Sequence, residues 1–128
     1  MDRKQIKTIC IYTEVPGSVN SQVPIRFSRN IHVPFQVNYI ESTVEFATGD
    51  TADNAVYTNG CLHSNLIPNS NLSVASSIGF TSKHSLRDMS FNGLYNFEML
   101  GPDGNLLYLP LNNPATNAYV LLQITFYE

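Results

Sequence analysis

Apolar and polar residues alternate along the chain from Val23 to Tyr39. The odd positions are apolar except for Arg29, and the even positions are polar or proline. Because successive side chains of a strand point to opposite faces, this pattern predicts strands with one buried face. Its 17 residues exceed the usual length of one strand. The pattern therefore predicts two strands, about 22–28 and 33–47, with the break at Arg29-Asn30.

The apolar positions change phase after Tyr39, where the apolar set becomes Ile40, Val44 and Phe46. A change of one residue within a continuing strand is what a β-bulge produces. A bulge is therefore predicted near Tyr39, and Gly49-Asp50 is predicted to end the strand.

Turn residues separate several further apolar segments. Asn59-Gly60 predicts a tight hairpin turn, and Gly101-Pro102-Asp103-Gly104 predicts a second one. The segment 81–92 is ambiguous, and His84–Met89 could form a helical turn. The remaining predicted strands are 5–15, 55–58, 61–67, a weak one near 72–80, 94–100, 106–111 and 117–127.

About eight strands without a clear helix predict an all-β, antiparallel β-sandwich of the jelly-roll type. The whole chain, 1–128, is expected to form a single domain with a short basic arm at about 1–5. An immunoglobulin-like sandwich is the alternative. The absence of Trp and the positions of the two cysteines disfavour it.

Charged residues make up only 13% of the chain, against about 25% in an ordinary soluble domain. Asn, Ser and Thr supply the polar surface instead. Removing water from such a surface costs less free energy than removing it from one rich in Lys and Glu, so the composition favours contact between copies. A β protein that merely has polar loops is an equally good interpretation.

The net charge of −3 argues against a nucleic-acid partner, because phosphate binding needs clustered Lys and Arg. Arg3, Lys4 and Lys7 form the single basic cluster. A solvated tail explains it better than an arm that touches nucleic acid.

Two cysteines, Cys10 and Cys61, could form one bridge, but two buried free thiols are expected in a chain without an export signal. The first residues have no cleavage site of the signal-peptide type, and no apolar segment reaches membrane-spanning length. Synthesis in the cytoplasm is expected, with no membrane partner.

No residue pattern predicts a catalytic or metal site, so the chain is expected not to be an enzyme and to bind no metal or cofactor. The nearest candidates fall short: Cys61 and His63 are a lone pair, and Glu41 and Glu45 suit a solvent-facing strand. Asp50, Asp53 and Asn54 are too few for a calcium loop.

The order of these features resembles the small single jelly rolls of virus particles. The resemblance is carried by the basic start, the 23–39 alternation, the Asn/Ser-rich loops, the Gly101–Gly104 turn and the final strand, Ala118–Phe126. It is similar to penton and minor capsid proteins and to trimeric fibre heads. It implies a homotrimer or homopentamer that contacts other capsid proteins in a virion and has no catalytic residues.

The first functional hypothesis is therefore a structural protein that associates with itself. Tyr119, Leu121 and Tyr127 lie on the non-core face of the last strand and are candidate contact residues, unless a second core layer covers them. The alternative is a receptor- or glycan-binding head. The loop residues proposed to bind its ligand are Tyr57, Asn59, Asn69, Asn71 and Tyr95.

Overall fold

A computed structural model describes residues 4–48, 60–68, 71–74, 81–111 and 113–128. Within these ranges the chain forms ten strands and no helix. The strands are β1 (Ile6–Val15), β2 (Val23–Pro24), β3 (Arg26–His32), β4 (Val37–Thr48), β5 (Cys61–Ser64), β6 (Asn71–Val74), β7 (Ser82–Met89), β8 (Asn92–Leu100), β9 (Tyr108–Leu109) and β10 (Ala118–Tyr127).

Two antiparallel sheets of four strands pack against each other. Sheet I has the order β1-β10-β4-β7 and sheet II the order β3-β8-β5-β6, while β2 and β9 form a small ribbon. When the eight strands of the two sheets are numbered along the chain, the sheets read 1-8-3-6 and 2-7-4-5. This is the jelly-roll connection, so the predicted fold class is confirmed.

The core lies between the sheets and is built by the inner residues of each strand. The last strand contributes the face that its alternation predicted: Ala118, Val120, Leu122, Ile124 and Phe126 are all fully buried. From sheet II, Phe97 and Met99 of β8 are equally buried. The core is therefore the product of two period-two patterns that face each other.

The predicted bulge near Tyr39 is confirmed. The pairing of β4 with β7 shifts between Val37 and Tyr39, and both Val37 and Ile40 are fully buried although they lie three residues apart. The predicted turn at Gly101–Gly104 is also present. The Gly104 amide donates to the Gly101 carbonyl at 2.9 Å, with Gly104 at φ 81°.

Three local predictions are wrong. Arg29-Asn30 is no break, because these residues pair with Tyr95 and Leu94 inside β3. The chain leaves the sheet at 33–36 instead, where Pro34 lacks the amide that a ladder needs. The segment 84–89 forms no helical turn, because it pairs with β4 as strand β7.

The third wrong prediction is the return strand 106–111. Of this segment only Tyr108–Leu109 is a strand, and it pairs with β2 rather than with β8. Beside the turn, residues 105–107 do return along β8, through a bridge between Leu100 and Leu106 and a hydrogen bond from the Leu107 amide to the Met99 carbonyl at 2.8 Å. The predicted strand 55–58 and the Asn59 half of its turn lie outside the described residues.

Candidate interaction surface

The outer face of sheet I carries four of the eight large apolar side chains that are exposed among the described residues. In β1 the even residues point outward, because the odd residues Ile11, Thr13 and Val15 face the core. In β10 the odd residues point outward for the same reason. The ladders β1-β10 and β10-β4 run without irregularity, so the outer side chains form straight rows across three strands.

One apolar cluster lies where β1 ends and β10 begins. Tyr12 is 61% exposed, Leu121 opposite it 41%, and Tyr119 36%. The rings of Tyr12 and Tyr119 stack with their centroids 6.3 Å apart. These three residues are called the Tyr12 cluster below.

A second cluster lies at the opposite end of the same face. Ile6, Tyr127 and Tyr39 occupy one row across β1, β10 and β4, and Ile6 is 60% exposed. The ring centroids of Tyr39 and Tyr127 lie 5.4 Å apart. Partial burial, the charge of Glu41 and a hydrogen bond to that carboxylate raise the pKa of Tyr39. Ile6, Tyr39 and Tyr127 are called the Tyr127 cluster below.

Polar residues separate the two clusters. The hydroxyls of Thr8 and Thr125 lie 3.0 Å apart in this band, and Cys10 faces outward opposite Gln123. The face therefore has two apolar ends and a polar centre.

The structure brings the three predicted contact residues onto this face. Tyr119 and Leu121 are exposed, and no described residue forms a second core layer over them. Tyr127 is half-buried against Tyr39. Their role in association stays a prediction.

Tyr12, Ile6 and Tyr39 were missed by the sequence reasoning. Apolar residues occupy both parities of 6–15, so alternation alone does not say which of them face outward. The ladder with β10 supplies that information, because it places Tyr12 opposite Leu121 and Ile6 opposite Tyr127.

The predicted ligand residues do not gather in one site. Tyr57, Asn59 and Asn69 lie outside the described residues. Asn71 is exposed at the start of β6, whereas Tyr95 lies within β8 rather than in a loop. The Tyr95 ring packs on Phe91 at 6.0 Å and its hydroxyl accepts the Asn92 amide, so it offers no open aromatic platform. The ligand role of these residues stays a prediction.

Both cysteines are free thiols, but the expectation that both are buried is wrong for Cys10. Cys10 is exposed because its even position faces outward from β1. Burial raises the pKa of the half-buried Cys61 thiol, which makes it a weaker nucleophile at neutral pH.

No cluster of three potential metal ligands occurs among the described residues. Asp50, Asp53 and Asn54 of the rejected calcium loop lie outside them. The described part of the chain also contains no helix that is long and apolar enough to span a membrane.

No protein-family model matches the chain, and no curated protein sequence matches it. Among solved structures, a serine protease of Aeromonas sobria aligns with 95% of this chain and 27% of its own, at 13% identity and a TM-score of 0.42. A pilus protein of Bacillus endospore appendages aligns with 98% of this chain and 90% of its own, at 11% identity and a TM-score of 0.28. A protein of infectious bursal disease virus, strain Gx, aligns with 99% of this chain and 37% of its own, at 12% identity and a TM-score of 0.37.

The prediction that the chain is not an enzyme is contradicted by the match to a serine protease, and we do not maintain it. The chain spans about a quarter of the protease and just over a third of the viral protein. At these TM-scores none of the three matches assigns an activity, a partner or a site residue to this chain.

Proposed function

We propose that this jelly-roll domain is a structural subunit that associates with further copies of itself, as a component of a virion. The observation that carries the proposal is the outer face of sheet I. Its two clusters expose four large apolar side chains, Ile6, Tyr12, Tyr119 and Leu121, while Tyr39 and Tyr127 are half-buried beside Ile6.

Exposed groups of large apolar residues mark contact surfaces more often than single ones do. Tyrosine is also enriched in protein interfaces, and four of the six residues in the two clusters are tyrosines. The low content of charged residues, 13% of the chain, makes the neighbouring surface less costly to desolvate. Jelly rolls of this connectivity build viral capsids, which supports the virion as the assembly.

The test is native mass by light scattering on a size-exclusion column at two protein concentrations. We expect the wild type to form a stable oligomer, and we expect Tyr12→Ser/Leu121→Ser to shift it toward the monomer. Each of these substitutions removes roughly 1.5–3 kcal/mol of apolar burial if the contact buries the side chain fully.

Leu94→Ser is the matched control. Leu94 is as exposed as Tyr12, at 61%, but it lies in β8 of the opposite sheet. Its substitution should leave the oligomer unchanged. A wild-type protein that stays monomeric at the higher concentration would contradict the proposed function.

A further inference from the structure

Strand β1 lies at an edge of sheet I. Its ladder with β10 determines which of its residues direct their backbone amides and carbonyls away from the sheet. The Glu128 amide donates to the Gln5 carbonyl at 3.0 Å, which makes Gln5 and Glu128 a hydrogen-bonded pair in the same register as the ladder. Hydrogen-bonded and non-bonded pairs alternate in antiparallel sheets. The odd residues of β1 therefore bond to β10. The even residues, from Ile6 to Glu14, turn their amides and carbonyls toward the free edge.

This edge has few of the features that usually prevent strands from pairing. Strand β1 has ten residues in an unbroken register and contains neither proline nor glycine. Its two charged residues are Lys7 and Glu14. The Lys7 ammonium turns inward and donates to the His32 carbonyl at 2.7 Å, so it does not guard the edge.

Side chains cross the space beside the edge, where Lys7 reaches the His32 carbonyl and Arg29 donates to the Thr13 hydroxyl at 2.8 Å, but no backbone pairing of described residues fills it. A groove of about 380 Å³ separates β1 from β3, the neighbouring edge of sheet II, and it is lined on the two sides by Ile9, Ile11, Arg29 and Ile31 among others. Among the described residues no backbone hydrogen bond links β1 to β3. The outward amides and carbonyls of β1 therefore have no protein partner in the described structure.

We propose that β1 pairs antiparallel with β1 of a second copy, across a two-fold axis at Ile9, so that the two sheets I become one sheet of eight strands. The inference rests on the self-association proposed above and names its partner and geometry. A two-fold contact of this kind is closed, since each copy supplies the same strand.

Complementarity along the edge selects this register. With Ile9 opposite its own copy, Tyr12 faces Ile6 of the second copy, and these are the two most exposed apolar residues of β1. Glu14 then faces Lys4 of the second copy, an attractive pair on the same outer face. Both pairs occur twice because of the symmetry.

Neighbouring registers are less complementary. Only the even residues of β1 direct backbone groups to the edge, so even residues of one copy must pair with even residues of the other. The two-fold axis of such a pairing passes through one residue position and not between two. If Cys10 were the centre, the Glu14 carboxylate would face Ile6, and Tyr12 would face Thr8. If Ile11 were the centre, Tyr12 would face Cys10, and Ile6 would lie opposite Pro16.

The proposed register also joins the two apolar clusters. Tyr12 and Leu121 share one row of the outer face, and Ile6, Tyr127 and Tyr39 share another. Pairing of Tyr12 with Ile6 of the second copy makes these rows continuous. The dimer would therefore carry two unbroken apolar rows, where each single copy has two separated clusters.

Disulfide trapping tests the register directly. In the proposed dimer the two Ile9 residues form a non-hydrogen-bonded pair with a Cα separation of about 4.5 Å, within the range of a disulfide. The two Cys10 residues would instead lie more than about 8 Å apart, too far for one. We expect Ile9→Cys/Cys10→Ala to form a covalent dimer under mild oxidation, and the wild type and Cys10→Ala not to do so.

A proline substitution tests the edge independently of any thiol. Thr8 presents its amide to the free edge, so Thr8→Pro removes no bond to β10 but removes two bonds from the symmetric pairing, one per copy. We expect Thr8→Pro to weaken dimerisation roughly tenfold or more. Thr8→Ala, which keeps the amide, should dimerise like the wild type.

The outcomes separate this inference from the proposed function. A strict trimer or pentamer, or an oligomer that Ile9→Cys does not trap and Thr8→Pro does not weaken, overturns the edge pairing and leaves self-association in place. Trapping of the wild type through its native Cys10 thiol, without trapping of the Ile9→Cys/Cys10→Ala variant, overturns the register. A monomer at every concentration overturns both proposals.

Discussion

The two edges of sheet I, β1 and β7, are built in opposite ways. Strand β1 follows β10 in a single register for ten residues. Strand β7 breaks register with β4, and its Asp88 adopts a left-handed backbone with φ 45°. Lys83, Arg87 and Asp88 also place three charges in eight residues of β7. Natural sheets protect their edges with bulges and charges. Strand β7 has a bulge and three charged residues, whereas β1 has no bulge and only Lys7 and Glu14.

Strand β7 is also tied to the opposite sheet. The Leu72 carbonyl of β6 accepts hydrogen bonds from the Ser42 hydroxyl and from His84 Nε2, both at 2.8 Å. His84 belongs to β7, the edge of sheet I, and Leu72 to β6, the edge of sheet II, so this hydrogen bond links the two edges. The β1 side is also tied to sheet II, by Lys7 on the His32 carbonyl and by Arg29 on the Thr13 hydroxyl, so the two sides differ in the register and backbone of the edge strand rather than in whether the sheets are joined.

The largest effect on stability should come from comparing proline at Ile9, whose amide faces β10, with proline at Thr8, whose amide faces the free edge. Ile9→Pro removes an amide bonded to Ile124 and leaves the carbonyl of β10 unpaired, so we expect a loss of about 2–4 kcal/mol in the free energy of unfolding. Thr8→Pro should cost less than about 1 kcal/mol, because its amide faces the free edge. Urea unfolding of both variants measures the difference. Equal losses would contradict the assignment of the free side.

A smaller effect should come from the bulge of β7. A β-branched residue is strained at positive φ, so Asp88→Val should lower the free energy of unfolding by about 1–2 kcal/mol. Asp88→Gly should be neutral or should stabilise by up to about 1 kcal/mol, because glycine adopts this conformation freely. The Asp88 amide donates to Asn38 Oδ1 at 2.9 Å, and both variants keep that donor. A Val variant as stable as the Gly variant would show that the left-handed conformation is not retained.

The core strands could be predicted from the sequence because their alternation is regular. The segment 118–127 has apolar residues at every even position, and the change of phase after Tyr39 identified the bulge. In both places the hydrophobic pattern and the backbone geometry give the same answer. The jelly roll followed from the number and spacing of such segments.

Strand β7 could not be predicted in this way. Its sequence, SKHSLRDM, has only two large apolar residues, and the bulge puts them out of phase with a single period. The segment is a strand because it pairs with β4. That pairing depends on residues distant in sequence and cannot be inferred from the segment itself. The clusters of the outer face were missed for a related reason. Tyr12, Ile6 and Tyr39 become neighbours of Leu121 and Tyr127 only through the register of three strands.

The smallest expected effect is a pH dependence at Tyr39, which lies between the two edges, opposite Tyr127 of β10 and Ser85 of β7. Partial burial, the Glu41 charge and the Glu41 hydrogen bond all raise its pKa above the usual 10.0. The folded state therefore holds this proton more tightly than the unfolded state does. Stability from Tyr39 is complete below pH 10 and falls as the pH rises through the raised pKa.

Unfolding of the wild type and of Tyr39→Phe at about pH 9 and about pH 11 isolates this contribution, because the other titrating groups are common to both proteins. We expect the wild type to lose more stability than the variant over that interval. Glu41→Gln should reduce the difference, since it removes the charge that disfavours tyrosinate. An identical pH dependence in all three proteins would show that the row of Ile6, Tyr127 and Tyr39 is too exposed to solvent to raise the pKa of Tyr39. The β1 edge would then differ from the β7 edge in backbone geometry and in its charged residues, and not in the environment of the face beside it.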